Sequence, residues 1–300
     1  MTRTWAASMR GSLMASLGRP EWWALALAGF LVRGGILLLI VPLITLPSVA
    51  EIATLLAPPI ESIVLGGQTL TGALIGGLAI AGVVVAMVLA GMAGEWFDNA
   101  LRREAAMDEE LDLEPAATPT QPSLSDALRI RLLAHLPSLA ALTYGFVRVV
   151  GITYNELLSP GDPTVPVAIR VLSQAPDVIV LVLLTWLVGE AIGPLAVRHV
   201  AAGASTRGAL LHAARQVLRP RGIATLVLTS AGLVALALPF LFALGRASEH
   251  IRGYLLEDVD LVPMSAALVL LVGTWILGLA VLGAGLAWRS SAWTVEAAAV

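Results

Sequence analysis

The chain has 300 residues, of which 58% are apolar and 13% charged, with a formal net charge of −3 and no cysteine, and its mean hydropathy is +0.87. A soluble domain carries about 25% charged residues, so this composition excludes one and points to a protein that crosses a membrane several times. Disulfides, thiolate metal sites and cysteine nucleophiles are excluded with the missing thiol.

Taken in order, the chain reads as one unit met three times: a short basic amphipathic segment, a proline, a long apolar run, an outer loop and a second apolar run. The entrances are Leu17-Gly18-Arg19-Pro20, Ala134-His135-Leu136-Pro137 and Val217-Leu218-Arg219-Pro220. In the first segment Trp5, Met9, Leu13 and Leu17 recur every four residues, with Arg3 and Arg10 off that stripe, the pattern of a helix lying in the interface plane. The first apolar run, 22–47, exceeds the core of a cleavable signal, so the N-terminus is expected to be retained. As a helix it would be about 39 Å long, more than the ~30 Å hydrocarbon core, and Gly34, Gly35 and Pro42 are places for it to bend.

Residues 48–63 hold no basic residue and read as a short outer interfacial helix stopped by Pro58-Pro59, before run two at 63–92, where Gly72 and Gly76 give a GxxxG spacing. Gly94-Glu95-Trp96 then reads as a glycine-marked helix end. Residues 95–122 carry Glu104, Asp108, Glu109, Glu110, Asp112 and Glu114, followed by Pro115, Pro119 and Pro122, a solvated linker too charged to bury apolar surface. Ser123 with Asp126 resembles a helix N-cap, and Leu124, Leu128, Leu132 and Leu136 form the second stripe, with Arg129 and Arg131 beside it. Run three covers 137–155. A loop with Pro160, Gly161, Pro163 and Pro166 leaves room for a short helix over 167–173 before run four, 178–197. In the third basic segment Leu210, Leu211, Ala214 and Leu218 face one way and His212, Arg215 and Arg219 another. Run five, 223–244, and run six, 261–288, follow, the last with Gly273, Gly278, Gly283 and Gly285, and a tail ends at Val300.

The expected fold is an all-α membrane protein of six transmembrane helices arranged as three repeated hairpins, each preceded by a basic amphipathic interfacial helix. Its divisions are 1–94, the 95–122 linker, 123–199 and 200–300. Thirteen arginines fall in the N-terminal segment, the 94–136 and 198–221 loops and the tail, against three in the opposite loops. By the positive-inside rule both termini are expected in the cytoplasm, with the protein in the cytoplasmic membrane.

A charge at bilayer depth costs on the order of 2.5–3.5 kcal/mol and demands an explanation. Arg33 stands 13 residues after Pro20 and Arg148 11 after Pro137, whereas the third unit has Ala231 and Leu233 at those offsets. Glu190 is the acidic residue within a run, and it is expected to neutralise Arg148 or Arg33. The alternative is that the arginines snorkel and Glu190 marks the boundary. Gly189-Glu190-Ala191 corresponds to Gly94-Glu95-Trp96 as a helix end. Trp22, Trp23, Trp96, Trp288 and Trp293 read as an interfacial belt. His135, His199, His212 and His250 lack metal-ligand spacing, and the first three are expected at the headgroups or in solvent. Glu257, Asp258 and Asp260 read as a solvated outer loop, and no nucleotide, zinc or nucleophile motif occurs. The basic residues expected to face lipid are Arg10, Arg19, Arg129, Arg131, Arg215 and Arg219.

The Arg-Pro entries at Arg19-Pro20 and Arg219-Pro220, the repeated basic helix and the Trp288–Trp293 ending resemble a broad group of uncharacterised bacterial six-helix integral membrane proteins, including the membrane domain associated with glycerophosphodiester phosphodiesterases. The resemblance implies a fold and carries over no catalytic residue, because the phosphodiesterase domain has no counterpart here. The function expected is a non-enzymatic accessory or organising membrane component that engages anionic lipid. Its partners would be membrane lipids and a protein at the cytoplasmic face, with no cofactor and no nucleic acid. The alternative is a transporter or permease subunit for an anionic or amphiphilic substrate, with Arg33, Arg148 and Glu190 along its path.

Overall fold

The computed structural model describes residues 4–36, 70–107, 123–158, 167–256 and 261–298, and among these every regular element is a helix. In chain order they are α1 (Trp5–Leu17), α2 (Pro20–Phe30, continued by a π-turn over Leu31–Gly35), α3 (Leu70–Ala106), α4 (Leu124–Ala134), α5 (Leu136–Leu158), α6 (Val167–Ser173), α7 (Pro176–Ala201), α8 (Thr206–Val217), α9 (Pro220–Leu256) and α10 (Leu261–Ala298). Among the described residues four stretches are long and apolar enough to cross a membrane: Leu136–Glu156, Pro176–Ala201, Pro220–Ile251 and Val262–Ala298. The Pro58-Pro59 stop, the acidic stretch from Asp108 to Pro122, the 160–166 loop and Glu257–Asp260 lie outside the described residues.

The short helices start and stop for local reasons. A hydroxyl caps the N-termini of α1, α4 and α8: Thr4 accepts from the Ala7 amide at 3.4 Å, Ser123 from Asp126 at 3.1 Å and Ser205 from Gly208 at 3.3 Å. Ser123 also donates to the Asp126 carboxylate at 2.7 Å, which closes a reciprocal cap. Pro20 and Pro220 then open the next helices from their first position, where a missing N–H costs nothing.

Several run boundaries move outward. α3 continues to Ala106 rather than ending at Gly94, so Glu95 and Glu104 are helical and not part of a linker. Glu190 likewise lies inside α7 and not at a helix end, and α10 runs through the expected tail to Ala298. Apolar content marks only the part of a helix that meets lipid or core. Polar residues extend a helix when a neighbour packs against them.

The chain divides into two compact units, one from Met1–Pro115 with Val227–Ala298, the other from Ala116–Leu226. In the first, α2 packs against α10 and α3, and α1 lies along α10. Two cores hold it. Trp22, wholly buried, sits with Ala15, Ala26, Leu101, Ala105, Ala287 and Val295, while Phe240, Leu244, Ile251, Leu271 and Leu282 form the other. In the second, α7 is the central helix, flanked by α5, α8 and α4, and α6 packs against α5.

Candidate functional site

In the first unit the polar groups gather where α2 crosses α3. Glu95, Asp98, Asn99 and Arg102 recur at helical spacing on one side of α3, and Glu95, Asn99 and Arg102 are buried. Arg33 reaches them from the π-turn, in which Gly34 takes φ +103°, a left-handed conformation that suits glycine. Its Nη2 lies 2.6 Å from Asp98 Oδ2 and donates to the Gly94 carbonyl at 3.1 Å, and its Nε donates to the Gly29 carbonyl at 3.2 Å. Glu95, 1% exposed, has Oε1 4.0 Å from Arg33 Nη1, a charge contact rather than a hydrogen bond. The Arg33 side chain lies across Gly94, and a Cβ there would come 2.6 Å from Arg33 Cγ. Arg102 donates to Asn99 Oδ1 at 3.3 Å. Burial, then Arg103, lowers the Arg102 pKa, while Glu95 and Asp98 pull it the other way.

The second unit holds its charges differently. Arg148 Nε lies 3.5 Å from Asp177 Oδ2, and Tyr144 donates to the same oxygen at 3.5 Å. Both members of the ion pair are about half exposed, at 47% and 49%. Glu190 Oε1 instead lies 3.4 Å from His135 Nε2. The expected neutralisation of Arg148 by Glu190 is thus not what the geometry shows. α5 and α7 run antiparallel, which puts Gly145 beside Val178 and His135 beside Gly189. Arg148 is therefore level with the start of α7, and Glu190 is level with the start of α5. Near the far end of α5, Glu156 accepts from Arg170 at 2.9 Å and from Gln174 at 2.5 Å and ties α6 to α5.

α1 turns a face of mostly small residues inward, and α4 and α8 bury alanines together with larger side chains. On α1 the buried positions are Ser8, Met9, Ser12, Ala15 and Ser16, with Ser16 and Ser291 of α10 2.8 Å apart at their hydroxyls. α4 buries Ala127, Ile130, Arg131 and Ala134, and α8 buries Ala209, Ala213, Gln216 and Val217. Large apolar residues point outward: Met14 and Leu17 of α1, Leu132, Leu133 and Leu136 around α4, Leu211 and Leu218 around α8. Arg10, Arg129, Arg215 and Arg219 are exposed with them, and Arg19 lies over the Trp22 ring at 5.2 Å.

Three expectations need correction here. Arg131 is buried, 8% exposed, with Gly193 of α7 against its stem, so it faces a helix and not lipid. Trp22 and Trp293 are core residues rather than members of an interfacial belt. The leucine and methionine stripes do not act as single faces, because Met9 is buried while Leu17 is exposed. His199 bonds Gln216 at 2.9 Å and meets the His212 ring edge-on, and His250 donates to the Arg246 carbonyl at 2.8 Å. Among the described residues no three His, Asp or Glu side chains are grouped to hold a metal.

Sequence reasoning missed Asp98 and Glu95 as partners of Arg33, and the Arg102–Asn99 bond beside them. The signal was present as the spacing of Glu95, Asp98, Asn99 and Arg102, one helical face continued past the glycine. Comparison with protein-family models, curated proteins and solved structures finds no match to this chain.

Proposed function

We propose that this protein is a non-enzymatic accessory or organising component of the cytoplasmic membrane, whose short basic helices seat it on anionic lipid. The observation that supports this is shared by α1, α4 and α8: serines or alanines pack inward beside a few larger side chains, while large apolar residues and every arginine but Arg131 lie outside together. A face of that kind gains from apolar burial at the acyl boundary and about 1 kcal/mol per arginine near an anionic leaflet. The manner in which Arg33 is held supports the same reading. It is tied to Asp98 and to two backbone carbonyls across a helix crossing, a use of charge to join helices rather than to line a path.

The finer architecture belongs to this reading: six crossings as three hairpins, both termini in the cytoplasm, a protein partner at that face, and kinship with the bacterial six-helix proteins named above. Native mass spectrometry of the full chain released from membranes of mixed lipid tests it. Retained anionic lipid is expected to fall when Arg129, Arg215 and Arg219 are changed together to Gln. Equal retention of anionic and zwitterionic lipid by both forms would sink the proposal. Solute uptake by proteoliposomes, lost on changing Arg148, would favour the transporter alternative instead.

A further inference from the structure

We propose that His135 and Glu190 form a proton-operated latch that holds α4 and the start of α5 against α7 when the imidazole is protonated and slackens when it is not. The geometry fixes the ring. His135 Nδ1 lies 2.9 Å from the Arg131 carbonyl oxygen, which can only accept, so Nδ1 carries a hydrogen. In the neutral ring Nε2 would then present a lone pair to Glu190 Oε1 at 3.4 Å, two acceptors face to face. Only the imidazolium has a donor for each oxygen. Gly189 makes the approach possible: a Cβ there would stand 2.7 Å from the ring Cδ2, so the imidazole lies against α7 backbone that any larger residue would cover.

The charges that act on the ring come from two helices, Glu190 of α7 favouring its protonation and Arg131 of α4 opposing it. α5 brings no titratable side chain before Tyr144. α8, packed on α7 and α4, carries Arg207, His212 and Arg215, of which His212 meets His199 instead. The balance raises the His135 pKa above its ordinary value, first through the hydrogen bond to Glu190, against burial. The latch goes beyond the lipid reading, since it stands on the second unit alone and holds whether or not α4 meets lipid.

The test uses the full chain in nanodiscs with 15N-labelled histidine, His135 being identified by the signal lost in His135→Gln. Three results are expected: a neutral ring protonated at Nδ1, a titration midpoint above the ordinary value of a histidine side chain, and a lower midpoint in Glu190→Gln. Protection of α4 amides against exchange should be greater near about pH 5.5 than near about pH 8.5, by about tenfold for each pH unit the midpoint is raised. In His135→Gln, α4 protection should become independent of pH. A neutral ring protonated at Nε2, a midpoint unmoved by Glu190→Gln, or α4 protection that ignores pH in the wild type would overturn the proposal.

Discussion

Arg33 shows how one side chain can depend on its neighbours. Its guanidinium reaches Asp98 because Gly34 bends the chain, and it lies flat because Gly94 has no side chain beneath it. Gly94→Ala would press a methyl into the Arg33 stem and lift it from Asp98. A loss of about 1–3 kcal/mol is expected, read as a lower melting temperature in detergent. Arg33→Met should cost more, about 3–5 kcal/mol, because it leaves Asp98 and the buried Glu95 without that cation. Adding Glu95→Gln and Asp98→Asn to Arg33→Met should restore much of the loss. A triple variant no more stable than Arg33→Met would show that the charges are not what the arginine serves. Arg33 could be picked out in the sequence as a charge in an apolar run. Asp98 could not be assigned to it, since pairing depends on which residues of two antiparallel helices come level.

At the scale of elements, α1 is held by hydroxyls. Ser16 and Ser291 are fully buried and bonded, and Ser291 also donates to the Ser12 carbonyl at 3.3 Å. Ser291→Leu would force a larger group into that contact, and α1 should loosen from α10. Limited proteolysis would read this as faster cleavage within residues 5–19, with the rest of the unit intact. α4 depends on pH instead. The folded-state pKa of His135 is raised, so its contribution to stability is fully present below the unfolded value of 6.5 and is lost as pH rises through the folded value. The melting temperature of the wild type should therefore exceed that of His135→Gln by most in acid, and the gap should close on the alkaline side. The leucine stripes of α1, α4 and α8 were legible as amphipathic periodicity, but the face that packs was not. Close contact favours serine and alanine, whose small side chains hydropathy scarcely registers.

At the scale of the molecule, the absence of cysteine leaves a clean background for labelling. Single cysteines at Ala7, Ser125 and Ala204, all exposed, should react with an impermeant reagent from one side of the membrane, and one at Ser173 from the other. Labelling of Ser125→Cys and Ser173→Cys from the same side would break the second hairpin as drawn. Membrane character, the helical class and the location of four apolar helices could be read from the amino-acid order alone, because hydropathy summed along a segment is local information and a bilayer acts on it directly. Tertiary structure decided the partners. Arg33 met Asp98 on α3, Glu190 met His135 and not Arg148, and Arg131 and Trp22 turned inward. Each of those outcomes follows from helix register and from where small residues let two backbones approach, properties of a pair of helices that neither one carries by itself.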